Sequence, residues 1–168
     1  KDNSFGKTIY IQIPRLKVPI PLFILFRALG IVSDKDICSY ILLNINNKDL
    51  TKMIYSLKGS IVDANEVVTQ NDAMEYIISQ VIFIPINMTP EQGRNKKKEF
   101  AKEVITNDLF PHCKTQQEKI YFLGYMTYKL LACSFGWIKE DDRDSYINKR
   151  IDVCGSLINN LFRNYFNK

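Results

Sequence analysis

At 168 residues the chain is long enough for one hydrophobic core and too short for two comfortable ones. It is 46% hydrophobic with only 7 Gly and 6 Pro, which fits a single packed domain. Lys and Arg exceed Asp and Glu by 23 to 18, a net charge of +5 that permits a polyanionic partner without demanding one.

In chain order, "KTIYIQI" alternates Ile9, Ile11 and Ile13 against Thr8, Tyr10 and Gln12, the period of a half-buried strand over residues 7–13. Pro14, Pro19 and Pro21 interrupt the next stretch, and Pro21 can open a helix that ends before Gly30. That helix, "LFILFRAL", is apolar almost all round and should be deeply packed. Ser33 caps a second helix from Asp34 to about Leu43, and Asn47 caps a third that closes at Gly59. "NDAMEYIIS" puts Ala73, Tyr76, Ile77 and Gln80 on one helical stripe, and "QVIFIPI" beyond it is extended, with Pro85 marking an edge or a loop. Thr89 with Pro90 opens a basic helix that runs to about Asn107. "TQQE", Thr115 to Glu118, is a capping box for a long aromatic-rich helix stopped at Gly136, which should be the central core helix. A last amphipathic helix places Val153, Leu157, Leu161, Phe162 and Tyr165 on one side. The fold class is therefore α+β, mainly α-helical, in one compact domain with a few short strands.

No stretch approaches 18 uncharged apolar residues, and the opening "KDNSFGKT" lacks the features of a signal peptide, so a soluble chain is expected. Cys38, Cys113, Cys133 and Cys154 never fall at zinc-site spacing and read as reduced core thiols of an intracellular protein. The abundance of Lys, Ile and Asn is what an A/T-rich coding genome produces.

Chemistry is sparse. "EDDRDSYINKRID", Glu140 to Asp152, clusters acids that could hold Mg²⁺ or divide acid and base roles. Arg143, Lys149 and Arg150 sit among them, however, so a paired structural turn of Asp141, Asp142, Arg143, Asp144, Lys149, Arg150 and Asp152 is the stronger reading. His112 is the only histidine and reads as a loop or core residue, which leaves no Ser-His-Asp or Cys-His set and no catalytic residue. No phosphate-cradling glycine loop occurs, and no metal site is assigned. Arg94, Lys96, Lys97, Lys98 and Lys102 lie on one helix, either as a solvated face or as phosphate contacts. Tyr121, Tyr125 and Tyr128 read as core rather than as stacking platforms.

Four stretches stand apart from this: "IPRLKVPIPLFILFRALGIVSDKDI", "NDAMEYI", "FLGYMTYKLLAC" and "DDRDSYINKRIDVCGSL". In this order and spacing they resemble the second domain, the lobe, of the second-largest subunit of multisubunit DNA-directed RNA polymerases, in the eukaryotic, archaeal and large-DNA-virus branch. Ser145 stands where that family usually has His, and Ser156 where Pro often follows the glycine. "YIISQVIFIPIN" replaces a "YIG" and Arg-Gly-rich continuation, which removes basic residues there.

The resemblance implies that residues 1–168 are a single domain cut from a larger chain, a non-catalytic module forming one side of the downstream DNA cleft and a docking surface. Its implied partners are the other polymerase subunits, downstream duplex DNA held weakly and non-specifically, a small zinc-ribbon subunit and initiation factors, with no membrane. Nucleotidyl transfer and its Mg²⁺ belong to the complete polymerase, and this domain carries no cofactor. The location is intracellular: the nucleus for a cellular eukaryote, the cytoplasm or virion for a large DNA virus. The competing classes are a free-standing nucleic-acid-binding domain and a small Mg²⁺-dependent nuclease built on the Asp cluster; neither accounts for the four stretches.

Overall fold

The computed structural model describes residues 2–3, 5–43, 50–84 and 89–167. Among them are seven α-helices and four two-residue strands, the mainly α-helical α+β class expected. Strands β1 (Asp2–Asn3) and β2 (Gly6–Lys7) form one antiparallel pair, and β3 (Tyr10–Ile11) pairs with β4 (Ile20–Pro21) in another. The longer strand expected over residues 7–13 is not formed. Ile9 N–H donates instead to Ser60 Oγ, 3.0 Å away, and Thr8, placed on the solvent side by the alternation, is buried. The segment is thus tied to Ser60 as well as to the short β3–β4 pair.

Helix α1 (Leu22–Ala28) starts directly after Pro21, whose missing N–H costs nothing there, and every one of its residues is buried. Around it pack α2 (Asp34–Leu42), α3 (Thr51–Val62) and α4 (Gln70–Gln80). Ser33 Oγ caps α2 by accepting from Asp36 N. The cap proposed at Asn47 lies outside the described residues, and α3 continues three residues past Gly59, which is buried inside it. Thr69 and Asp72 form a full capping box on α4. Beyond α4 the extended chain bridges Leu16 to Val81, with Lys17 N donating to Gln80 O and Ile82 N to Arg15 O.

Helix α5 (Pro90–Glu103) opens on the Thr89–Gln92 capping box with Pro90 at its first position, and it widens into a π turn over Val104–Asp108. The Lys119 ammonium donates to the carbonyls of Ile105 and Thr106 in that turn, satisfying backbone acceptors that the wide turn leaves open. Helix α6 (Gln116–Ser134) carries the Thr115–Glu118 box and lies along α2, and Gly136, at φ +72°, ends it. A 3₁₀ turn at Tyr146–Asn148 and α7 (Cys154–Phe166) complete the chain.

Candidate functional site

Three surfaces carry the side chains singled out by sequence. The first is α5. Arg94, Lys96, Lys98 and Lys102 are exposed on it, and Arg94, Lys98 and Lys102, four residues apart, share a face. Lys97 is half-buried and turned the other way, its Nζ donating to Ser79 O at the end of α4, 3.4 Å away. The five basic residues therefore do not form one patch. Glu91, Glu99 and Glu103 interleave with them on the same helix, so the face offers diffuse rather than concentrated positive charge.

The second surface is the acid–base turn. Lys149 Nζ meets Asp144 Oδ1 at 2.9 Å, Asp142 Oδ1 accepts from Asp144 N at 2.9 Å, and Asn148 Nδ2 donates to the Asp142 carbonyl at 2.7 Å. Arg143 reaches Asp144 only at 3.8 Å with its side chain 91% exposed, while Asp141, Arg150 and Asp152 are exposed outside these contacts. The turn is therefore held by the Asp142 carboxylate, the Asn148 amide and one lysine, in water rather than in a partly buried setting. Arg143→Ala is accordingly expected to leave the urea midpoint where it is, within about 0.5 kcal/mol. A loss of more than about 1 kcal/mol would mean that the pair is held far more rigidly than an exposed one. Among the described residues no three His, Cys, Asp or Glu side chains are placed together to hold a metal ion.

The third surface is apolar. Tyr121 and Tyr125, read from sequence as core, are each 53% exposed, and Met126 and Leu130 lie open beside them. An amphipathic helix has one buried stripe, and on α6 that stripe includes Ile120, Leu123, Gly124, Thr127 and Leu131; Tyr121 and Tyr125 take the outer face, while Tyr128 is half-buried and packs against the core as expected. Between this face and residues 9–12 runs a groove of 630 Å³ lined chiefly by Ile9, Ile11, Phe122, Tyr125, Met126 and Leu130. From Gly136 to Asn167 every residue is exposed except the half-buried Ser145. The expected stripe of α7 is present, with Leu157, Leu161, Phe162 and Tyr165 all more than half exposed and the rings of Phe162 and Phe166 stacked at 5.7 Å.

Cysteine burial divides. Cys38 and Cys113 are buried, Cys133 is half-buried and Cys154 is exposed at the start of α7, so the core-thiol reading fails for the last of these. Burial, followed by the nearby Asp34 charge, pushes the Cys38 thiol up to about 11, which makes it unreactive at neutral pH. His112 is an exposed loop residue whose ring stands edge-on to Phe122 at 4.4 Å.

Sequence reasoning did not assign the corner after α1. Buried Arg27 donates to the carbonyls of Ala64, at 2.6 Å, and Val67, and to Asp34 Oδ1 at 2.6 Å. Gly30 turns the chain at φ +97°, a conformation that disfavours any Cβ. Gln70 and Gln116, the first residues of α4 and α6, donate to the carbonyls of Ala28 and Leu29 and close the end of α1. "RALG…SD" is thus a helix terminus, a glycine turn and the next helix cap, bound together by one arginine.

The chain matches the family model described as RNA polymerase Rpb2, domain 2, over residues 1–152. It is 34% identical across its whole length to DNA-directed RNA polymerase II subunit 2 of Arabidopsis thaliana, and 38% identical over 95% of its length to the RPB2 subunit of Encephalitozoon cuniculi. DNA-directed RNA polymerase subunit 2 of Acanthamoeba polyphaga mimivirus is 32% identical over the whole chain. The match takes in 14% of each of the first two relatives and 15% of the third, so the chain spans about one seventh of their length.

Proposed function

The chain belongs to the RNA polymerase Rpb2 domain 2 family, and on that premise we propose that it is a non-catalytic lobe of a DNA-directed RNA polymerase, walling the downstream duplex and offering a docking surface to the rest of the enzyme. The observation that carries the docking half is the open apolar surface of α6 and α7. Monomeric proteins rarely expose contiguous apolar patches of this kind, because each costs solvation free energy until a partner covers it. On this reading residues 1–168 are one domain of a longer subunit, and the partners are the remaining polymerase subunits, a small zinc-ribbon subunit and initiation factors. Nucleotidyl transfer and its Mg²⁺ stand elsewhere in the assembly, and this domain holds no cofactor. The location is intracellular, nuclear in a cellular eukaryote and cytoplasmic or virion-borne for a large DNA virus, a source that the Lys-, Ile- and Asn-rich composition also suits.

The DNA half rests on α5. A wall past which a duplex slides needs diffuse attraction to phosphates rather than base readout. Arg94, Lys96 and Lys98 provide it; Lys102 adds to it from the end of the row, and Lys97 contributes least because its ammonium is turned to α4. Expected affinity for duplex DNA is about 10⁻⁴ to 10⁻⁶ M, the ordinary non-specific range. Replacing Arg94, Lys96 and Lys98 by Ala should flatten the log–log salt dependence by roughly 0.9 for each phosphate that is no longer neutralised. Fluorescence anisotropy over a salt series measures this. Sequence-specific binding that ignores salt would favour a free-standing DNA-binding domain instead.

A further inference from the structure

We propose that the cleft where the end of α1 meets the first turns of α4 and α6 binds an acidic peptide of a protein partner, one in which carboxylates alternate with aliphatic side chains. The inference rests on the reading of this chain as a docking module but not on its contact with DNA. The cleft encloses 470 Å³, inside the roughly 300–1,000 Å³ of ligand pockets. Three lysines from separate places line it: Lys102 at the end of α5, Lys114 just before the α6 cap, and Lys119 within α6.

Lys119 is 4% exposed, and two of its three N–H groups are taken by the Ile105 and Thr106 carbonyls, at 2.8 and 2.5 Å. The third remains for a ligand. Among the described residues no carboxylate lines the cleft to neutralise these cations. The acids of the adjoining first turns are engaged in their own caps. Asp72 accepts from Thr69 N, and Glu118 accepts from Lys114 N and Thr115 N, bonds that hold its carboxyl below the usual range. Gln70 and Gln116, bonded to the end of α1, pin the N-termini of α4 and α6 around the same cleft, and helix N-termini favour negative charge.

The rest of the lining decides between two polyanions. Leu29, Met74 and Ile105 contribute an apolar side. A DNA backbone would use the lysines and leave that side unmatched, whereas a peptide carrying Asp or Glu beside Leu fills both halves. Arg94 and Lys98, in line with Lys102 along α5, extend the positive path for a peptide that continues past the cleft.

The test is anisotropy of the full chain with a short fluorescein-labelled peptide of glutamate and aspartate interrupted by leucine. A leucine-free acidic peptide, inorganic phosphate and duplex DNA serve as comparisons. The mixed peptide is expected to bind saturably and more tightly than the leucine-free one. Lys114→Glu, outside the DNA-facing row, should weaken it about tenfold or more, while duplex binding changes far less. Lys102→Gln, on another element, should weaken the peptide in the same direction, and Lys114→Arg should preserve it. Lys114 is exposed, so an unchanged thermal melt separates impaired binding from impaired folding. Absence of saturable peptide binding, or peptide binding indifferent to Lys114→Glu, overturns the proposal. An equal drop in DNA and peptide affinity in that variant would assign the cleft to phosphate and overturn it as well.

Discussion

Gly124→Ala is expected to destabilise the chain by about 3 kcal/mol or more, at the upper end of the range for overpacked cores. An alanine Cβ at this position would lie 2.4 Å from the carbonyl oxygen of Tyr40 and 3.0 Å from its carbonyl carbon. Both atoms belong to the backbone of α2, so no side chain can swing aside; α2 and α6 must part. They cannot part cheaply, because Ile37, Ile41, Ile120 and Leu123 are buried in the same core and the Tyr40 and Tyr121 rings meet edge to face at 5.3 Å across the two helices. Helix propensity works in the opposite sense, since Ala is better than Gly in a helix interior by about 0.5–1 kcal/mol, and the steric penalty should exceed it several-fold. Gly155→Ala is the matched control: it lies in α7 with nothing within 4 Å of its added methyl, and its melting temperature should hold or rise slightly. For a chain of this size each kcal/mol moves the melting temperature by roughly 2–4 °C, so a calorimetric comparison resolves the pair. Similar melting temperatures for the two variants would mean that α2 and α6 are less tightly apposed than described.

Gly124 also indicates where sequence reading stops. A lone glycine inside an apolar helix pattern signals a close approach, but only the fold names α2 as the helix that approaches. Helix limits were legible because their chemistry is local: Ser33, Thr89 with Pro90, and Thr115 with Glu118 cap helices that begin where those residues require. Thr69 belongs to the same class and is harder to see, because its box closes with Asp72 rather than Glu or Gln. Strand pairing is not local. Ile9, Ile11 and Ile13 have the right period, yet the strand that pairs with this segment is the two-residue Ile20–Pro21, and Pro21 has no N–H to add to a ladder.

The surfaces show the same division. Periodicity finds an apolar face on α6 and on α7 but does not say whether anything covers it, which is why Tyr121 and Tyr125 read as core and are open. The acid–base run read as a paired turn, and its pairing is narrower than its composition suggests, since one lysine carries the short contact and Arg143 barely takes part. The lysine cleft was beyond reach for a related reason. Lys102, Lys114 and Lys119 are ordinary basic residues in sequence, and only the packing of the α4 and α6 N-termini on the end of α1 brings them together.

Arg27→Met is expected to be the second strongly destabilising change, and the comparison with Asp34→Asn shows why. The guanidinium is 6% exposed and bridges three acceptors: the Ala64 and Val67 carbonyls in the connection after α3, and Asp34 in the first turn of α2. Methionine keeps much of the volume and removes every donor. Each of the two carbonyls then loses its partner at about 1–3 kcal/mol. Asp34 is 40% exposed, so water takes over much of its charge, and the ion pair itself accounts for only a minor part of the loss. Arg27→Lys should fall between, because a single ammonium on a flexible stem cannot span acceptors on both sides of the corner as the planar fork does. Urea midpoints should therefore fall steeply for Arg27→Met, less for Arg27→Lys, and by under about 1 kcal/mol for Asp34→Asn. Equal losses in Arg27→Met and Asp34→Asn would make the ion pair, not the two carbonyls, the reason an arginine occupies this corner. In the expected order, the arginine of "RALG…SD" works chiefly as a backbone clasp joining the end of α1 to the α3–α4 connection. It thereby supports the end of α1 on which Gln70 and Gln116 seat the helices around the lysine cleft.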